Sequence, residues 1–474
     1  MSRETEGVKY VSTRGTAPEL GFEEALLTGL ARDGGLYVPA EWPSFSEAEI
    51  RALSGASYEE TAFAVMKPFI GGAVPDEDLK GMIEAAYASF GHKSVAPLSQ
   101  IGPNDWLMEL YHGPTLAFKD VAMQILARLF DYALARRGER ITIVGATSGD
   151  TGSAAIEAFK GRETTDIFIL HPKGRVSDVQ RRQMTTVLDA NVHNIAIEGS
   201  FDDCQALVKA LFNDHGFRDE IRLAGVNSIN WGRVMAQIVY YFTSAIALGA
   251  PARTISFSVP TGNFGDIFAG YVAKQMGLPI EQLIIATNRN DILSRVMTSG
   301  RYEVGEVMPT MSPSMDIQVS SNFERLLFDM YERDGAKVAG LMNSLSQSGG
   351  FSVDEERLAL TRRLFGAARA SEEETAATIE RIFKETGRLI DPHTAVGVKA
   401  AEEKRQGKDV PMVTLSTAHP AKFPAPVEKV TGQHPALPAR MEGLFEREER
   451  CATLANDVKA LSAYIRERAR VVAA

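Results

Sequence analysis

Short apolar, β-branched stretches alternate with helix-length stretches twice along this chain, and that alternation constrains its fold more than any other feature. In the first run, from about residue 105 to 200, strands are predicted at Ile141–Val144, Asp166–Leu170 and Val192–Ile197. In the second, from about 223 to 290, they are predicted at Leu223–Val226, Thr254–Val259 and Leu283–Ala286. Strands joined through helices run parallel and need helices on both faces, so the sequence predicts an α/β protein with two parallel-sheet domains. Around these runs the pattern is mostly helical, as at Phe22–Ala31, Pro75–Phe90 and much of 300–390, where Ser371-Glu-Glu-Glu374 has capping-box spacing before Ala376–Phe383. Met412–Leu415 returns as a strand, and the tail from Arg440 reads as a charged amphipathic helix packed back on the body. The expected division is a mostly helical segment 1–95, a smaller α/β domain 96–220, a larger one 221–440 with a helical insertion, and a C-terminal helix 441–474.

Three loops carry candidate chemistry. His112-Gly-Pro-Thr-Leu-Ala-Phe-Lys-Asp120 puts Lys119 at the start of a helix whose apolar positions Val121, Ile125, Leu126, Leu129, Phe130, Ala133 and Leu134 have amphipathic spacing. The positive end of the helix dipole opposes protonation of a first-turn lysine, and desolvation by Phe118 and Leu116 would act the same way. A neutral amine is the nucleophile that a Schiff-base lysine needs. Pro260-Thr-Gly-Asn-Phe-Gly-Asp266 links a strand to the predicted helix Ile267–Met276, so several backbone N–H groups converge where a phosphate can sit. Gly262 and Gly265 allow close approach and unusual dihedrals, and Asp266 is expected to cap the helix. The alternative is an ordinary βα turn, which favours the same residues. In Ile141-Thr-Ile-Val-Gly-Ala-Thr-Ser-Gly-Asp-Thr-Gly152 the glycine spacing fails the dinucleotide pattern, and no nucleotide P-loop occurs anywhere. Thr147, Ser148, Gly149, Asp150 and Thr151 form instead a nest suited to a substrate carboxylate, with Asp150 or Thr151 as the alternative cap of a helix Ser153–Lys160.

The formal charge of −10 argues against nucleic-acid and anionic-membrane partners. An anionic substrate then needs a local positive pocket, for which Lys173, Arg175, Arg181, Arg182 and Arg233 are candidates, about half of them expected to be ordinary solvated charges. Cys204 and Cys451 offer neither a disulfide framework nor a zinc site, and the histidines show no metal spacing. His112, His393 and His419 fall in the motif-like segments and are expected to have structural or positioning roles. The apolar stretch Met235–Leu248 is too short to cross a bilayer and reads as a buried helix. The first residues lack an apolar signal core, so a cytoplasmic location is expected.

One lysine with two anion cradles on βα turns resembles the tryptophan-synthase-β (fold type II) class of pyridoxal-phosphate enzymes. Further segments in order sharpen this: Tyr10-Val-Ser-Thr-Arg-Gly15, Asp33-Gly-Gly-Leu-Tyr-Val38, Asn227-Ser-Ile-Asn-Trp-Gly-Arg233, Asp391-Pro-His-Thr-Ala395 and Thr417-Ala-His-Pro-Ala-Lys-Phe423. With the three loops, they make the chain similar to the threonine synthase family, in the longer form of fungi and many proteobacteria, from about residue 9 to 425. The resemblance implies conversion of O-phospho-L-homoserine and water to L-threonine and phosphate. It implies that Lys119 holds pyridoxal 5'-phosphate and moves protons at Cα and Cβ, and that Gly262, Asn263, Phe264, Gly265 and Asp266 hold the cofactor phosphate. Thr417 would face the pyridine nitrogen, while Thr147 to Thr151, Lys173, Arg175 and Arg233 would bind substrate, in a monomer or homodimer. The alternatives are a phospho-lyase paralogue acting on O-phosphohomoserine without making threonine, and a catalytically retired binding protein.

Overall fold

The computed structural model describes residues 7–226 and 228–471. Contacts divide the chain into two units. One comprises the chain up to His112 together with Ser228–Pro435, and the other runs from Gly113 to the segment before Ser228 and resumes at Ala436.

The first unit is built on a six-stranded sheet in the order Phe365–Arg369, Ile280–Thr287, Ile255–Pro260, Met412–Ser416, Asp105–Glu109, Leu98–Gly102. The first five strands are parallel, and the last turns back antiparallel on Asp105–Glu109. Phe257 stands opposite Leu283 on one side and Val413 on the other. Ile255–Pro260 and Met412–Ser416 are buried at every position, as strands covered on both faces must be. Helix Pro392–Lys404 packs on this sheet, its start fixed by Asp391, which accepts from the His393 and Thr394 amides, and by Pro392 in the first turn. Helix Trp231–Ala247 is the expected buried helix. The capping box at Ser371 opens helix Glu372–Thr386. The N-terminal segment does not stand apart, because Tyr10 and Phe69 pack their rings 6.1 and 5.5 Å from that of Trp231.

The second unit has a five-stranded, all-parallel sheet in the order Ala452–Ala455, Val192–Glu198, Thr165–Pro172, Ile141–Ala146, Leu223–Ala224. Its core gathers Phe168, Leu170, Ile195, Ile197, Leu207 and Phe217 with Leu461 and Ile465 of helix Val458–Arg468.

Four expectations need correction. The tail is not one helix but a short parallel strand followed by a helix, because Ala452-Thr-Leu-Ala is too short and small-residued to show a strand pattern. Leu223–Ala224 joins the sheet of the second unit, beside Ile141–Ala146, rather than opening the larger sheet. The stretch 300–390 hides a sheet strand, Phe365-Gly-Ala-Ala-Arg369, whose alanines carry no β signature. Helix Lys119–Arg137 buries every expected apolar position, but it is not amphipathic along its first half, where Lys119 to Ala127 are all buried, and its exposed end lies at Arg136 and Arg137. No helix among the described residues is long and apolar enough to cross a membrane.

Candidate active site

The lysine turn, in the second unit, is fixed before Lys119 is reached. Leu116 takes a left-handed φ of 63° and is buried against Val179, Met441 and Leu444. Asp120 accepts from the amide and hydroxyl of Thr115 at 2.7 and 2.6 Å, and Gln183 donates to the Thr115 carbonyl at 3.1 Å. Lys119 follows in the first helical turn, 8% exposed, with its amine 5.0 Å from the Phe118 ring centre and 3.5 Å from Asp150 Oδ2.

Asp150 is therefore neither a cap nor part of an open anion nest. Its other oxygen accepts from Gln180 Nε2 at 2.9 Å. Thr147 closes the turn instead, its hydroxyl accepting from the Gly149 and Gly152 amides at 2.9 and 2.8 Å, while Ser148 and Thr151 stay half-buried beside it. Gly149 sits at φ 136°, and a side chain there would overlap Gln180, so the turn requires glycine.

The basic candidates separate. Lys173 and Arg175 are exposed just past the carboxyl end of strand Thr165–Pro172, with Lys173 3.4 Å from Glu198. Arg181 and Arg182 are occupied by the tail: both pair with Glu449, Arg182 Nε at 3.1 Å, and Arg182 also donates to the Arg447 carbonyl at 2.9 Å.

In the first unit, helix Gly265–Gln275 starts from Phe264, whose φ of 63° and ψ of 0° make it the one left-handed residue of the loop, and its N-cap supplies no side-chain acceptor. Gly262 and Gly265 lack positive φ, which corrects the expected reason for them. Close approach alone demands them: a Cβ on Gly262 would lie 2.8 Å from the Ser314 carbonyl oxygen, and one on Gly265 3.2 Å from Asn322 Nδ2. Asp266 does not cap the helix either. Its Oδ1 accepts from the Tyr240 hydroxyl and, at 3.3 Å, from that of Tyr241, and its Oδ2 is buried with no hydrogen-bond partner among the described residues. Burial raises this carboxyl to about 7, against the lowering pull of both tyrosines and Arg233. Arg233 is itself buried, and burial lowers it to about 10 while Tyr240 and Asp266 oppose the shift. Thr417, 5% exposed, follows the central strand Met412–Ser416. Ser416 lies 3.0 Å from the Thr394 hydroxyl, which binds Asp391. His393 accepts the Ser314 amide on Nε2 at 3.2 Å, so Nδ1 carries the proton donated to Asp391 at 2.8 Å, a structural role.

Sequence reasoning missed the Lys119–Asp150 pair, Gln180 and Asn322, since nothing in local spacing joins residues so far apart.

A family model described as "Pyridoxal-phosphate dependent enzyme" matches residues 94–343. "Threonine synthase N terminus" matches 9–87, and "Threonine synthase, C-terminal" matches 394–465. The threonine synthase of Pseudomonas aeruginosa is 58% identical over 459 residues, which span 97% of this chain and 98% of that one. The chain belongs to the threonine synthase family. The threonine synthase of Saccharomyces cerevisiae is 45% identical over 87% of both chains. Among solved structures, the PLP-bound threonine synthase of Brucella melitensis superposes with a TM-score of 0.96 at 61% identity, covering 98% of this chain and all (100%) of that one. The yeast threonine synthase superposes at 0.93 and 41% identity, covering 97% of this chain and 98% of its own. As a threonine synthase family member the chain is a pyridoxal-phosphate-dependent lyase with the α/β fold that its two parallel-dominated sheets display.

Proposed function

We propose that the chain converts O-phospho-L-homoserine and water to L-threonine and phosphate, with Lys119 carrying the cofactor. The observation behind this reading is a buried first-turn lysine whose amine lies 3.5 Å from a carboxylate held by Gln180. When bound, pyridoxal phosphate supplies an electron sink for charge developing at substrate carbons. The residues fit such a group: the N-terminus of helix Gly265–Gln275 has no side-chain cap, so the N–H groups of the Gly262–Asp266 loop are suited to its phosphate. Thr417, at the end of the central strand Met412–Ser416, would offer its hydroxyl to the pyridine nitrogen.

Lys119 would hold the cofactor and move protons at the substrate Cα and Cβ, with Asp150, 3.5 Å away, orienting its amine. Ser148, Gly149 and Thr151, held by Thr147, receive the substrate carboxylate. Lys173 and Arg175 stand at the carboxyl end of a parallel strand, where ligands bind in open α/β sheets, and Gln180 ties their segment to Asp150. They take the substrate phosphate by charge-assisted hydrogen bonds. Arg233, buried beside Asp266, balances charge under the phosphate loop. The two cysteines, Cys204 buried and Cys451 exposed, are both free, which suits a cytoplasmic enzyme, and a monomer or homodimer is expected by light scattering.

The deciding assay gives the purified protein cofactor and O-phosphohomoserine and measures phosphate and threonine together. Phosphate with a different organic product would identify a phospho-lyase, and no visible band with cofactor a retired protein.

A further inference from the structure

A residue with a Cβ resists the left-handed region, so the surroundings must hold Phe264 there, where it is 1% exposed. Phe365 packs against its ring at 6.0 Å, but the hydrogen bonds that hold the loop come from one segment. Asn322 donates twice to the Asn263 carbonyl, from its backbone amide at 3.1 Å and from Nδ2 at 2.9 Å, and Nδ2 also reaches the Ser228 carbonyl at 3.1 Å. Ser320 Oγ donates to the Gly262 carbonyl at 2.7 Å, and Phe323 packs edge-on to Phe264 with ring centres 5.4 Å apart. Asn322 is fixed in turn: it is fully buried, and its Oδ1 accepts from Arg325, which also donates to the Tyr37 and Ile229 carbonyls at 2.9 and 2.6 Å.

A trans peptide points its N–H opposite to its carbonyl. With the Gly262 and Asn263 carbonyls drawn toward residues 320–322, the N–H groups of Asn263 and Phe264 point away from that segment. We infer that Asn322, assisted by Ser320, is a positioning residue that sets the direction of the N–H groups in the cofactor-phosphate loop. The inference rests on the proposed role of Gly262–Asp266 as that loop.

The test uses the full chain stripped of cofactor and titrated with pyridoxal 5'-phosphate and, separately, with pyridoxal, which lacks the phosphate but can still react with Lys119. Asn322→Asp keeps the shape and the Arg325 partner while losing the Nδ2 donors, Asn322→Ala loses them without adding charge, and Gly265→Val disturbs the loop directly. Both Asn322 variants should weaken pyridoxal phosphate binding by roughly tenfold and pyridoxal binding by less than about twofold, a selective loss that general destabilisation would not produce. If Gly265→Val abolishes the preference for the phosphorylated form and the Asn322 variants keep it, the inference fails and the loop reading stands. If all three keep it, the loop reading fails as well. A loss confined to Asn322→Asp is a charge effect and overturns positioning. Should neither Asn322 variant fold, Ser320→Ala decides: a weakened preference supports the inference, and an intact one overturns it.

Discussion

At the residue scale the proposed chemistry concentrates on one amine and one carboxylate. Lys119→Ala should leave the fold intact and abolish the covalent adduct, read as loss of the band near roughly 400 nm that such adducts show and of the peptide labelled after borohydride reduction. An adduct mapped to another lysine would overturn the assignment. Asp150→Asn keeps an acceptor for Gln180 but removes the charge beside Lys119, and kcat should fall roughly tenfold to a hundredfold, the usual weight of a charge-assisted bond. An unchanged kcat would reduce Asp150 to scaffolding. Asp266 bears on pH. Its carboxyl is raised from 3.8 to about 7, so between those values the folded chain keeps a proton that the unfolded chain releases. That contribution is complete below about pH 4 and is lost as pH rises through about 7. Asp266→Asn removes the dependence, so its melting temperature relative to the parent should climb between about pH 5 and pH 8, with a limit of ~1.4 kcal/mol per unit. The turns before the helices at Lys119 and Gly265 are legible because each sits in a short segment whose residue types announce a turn. The Asp150 carboxylate was legible as a residue but not as a partner: a pairing across 31 positions, as 150 − 119 gives, leaves no trace in local pattern.

At the scale of elements, the glycine loop and the basic segment from Lys173 to Arg182 make separable claims. Gly262→Val drives a side chain into the Ser314 carbonyl, and Gly265→Val crowds Asn322, so both should lose cofactor retention well before global stability, measured by dialysis and by thermal melting. Equal retention in both would leave the loop as a mere turn. Lys173→Ala and Arg175→Ala should weaken inhibition by inorganic phosphate and lower kcat/KM by roughly tenfold to a hundredfold. Arg181→Ala and Arg182→Ala should leave phosphate inhibition alone and lower the melting temperature, because they hold Glu449. The reverse pattern would move the substrate phosphate. Strands whose apolar residues alternate, such as Ile255-Ser-Phe-Ser-Val259, could be read from sequence, since period and propensity agree there. Phe365–Arg369 and Ala452–Ala455 could not, because their alanines and glycine enter a sheet only through neighbours already in place.

At the scale of the whole molecule, a chain of net charge −10 serves an anionic substrate, so affinity has to come from local donors and not from the global field. The tail matters as much as the loops. Leu461 and Ile465 are fully buried, and Arg470 pairs with Asp166 at 2.6 Å. Burying each apolar side chain contributes about 1.5–3 kcal/mol, a large share of the ~5–15 kcal/mol that holds a domain together. Removing the chain from Ala452 onward should therefore abolish cooperative melting of the second unit and expose dye-binding apolar surface, and an unaltered melt would contradict the packing described. The order of strands has a further consequence on the ribosome. Met412–Ser416 lies between Ile255–Pro260 and Asp105–Glu109, so the middle of the larger sheet is among the last parts to be synthesised. Until it emerges, roughly ten seconds to a minute later at the ~5–20 residues per second of synthesis, two strand edges lack their partner, which makes the nascent chain, more than the finished enzyme, the species exposed to aggregation and dependent on chaperones.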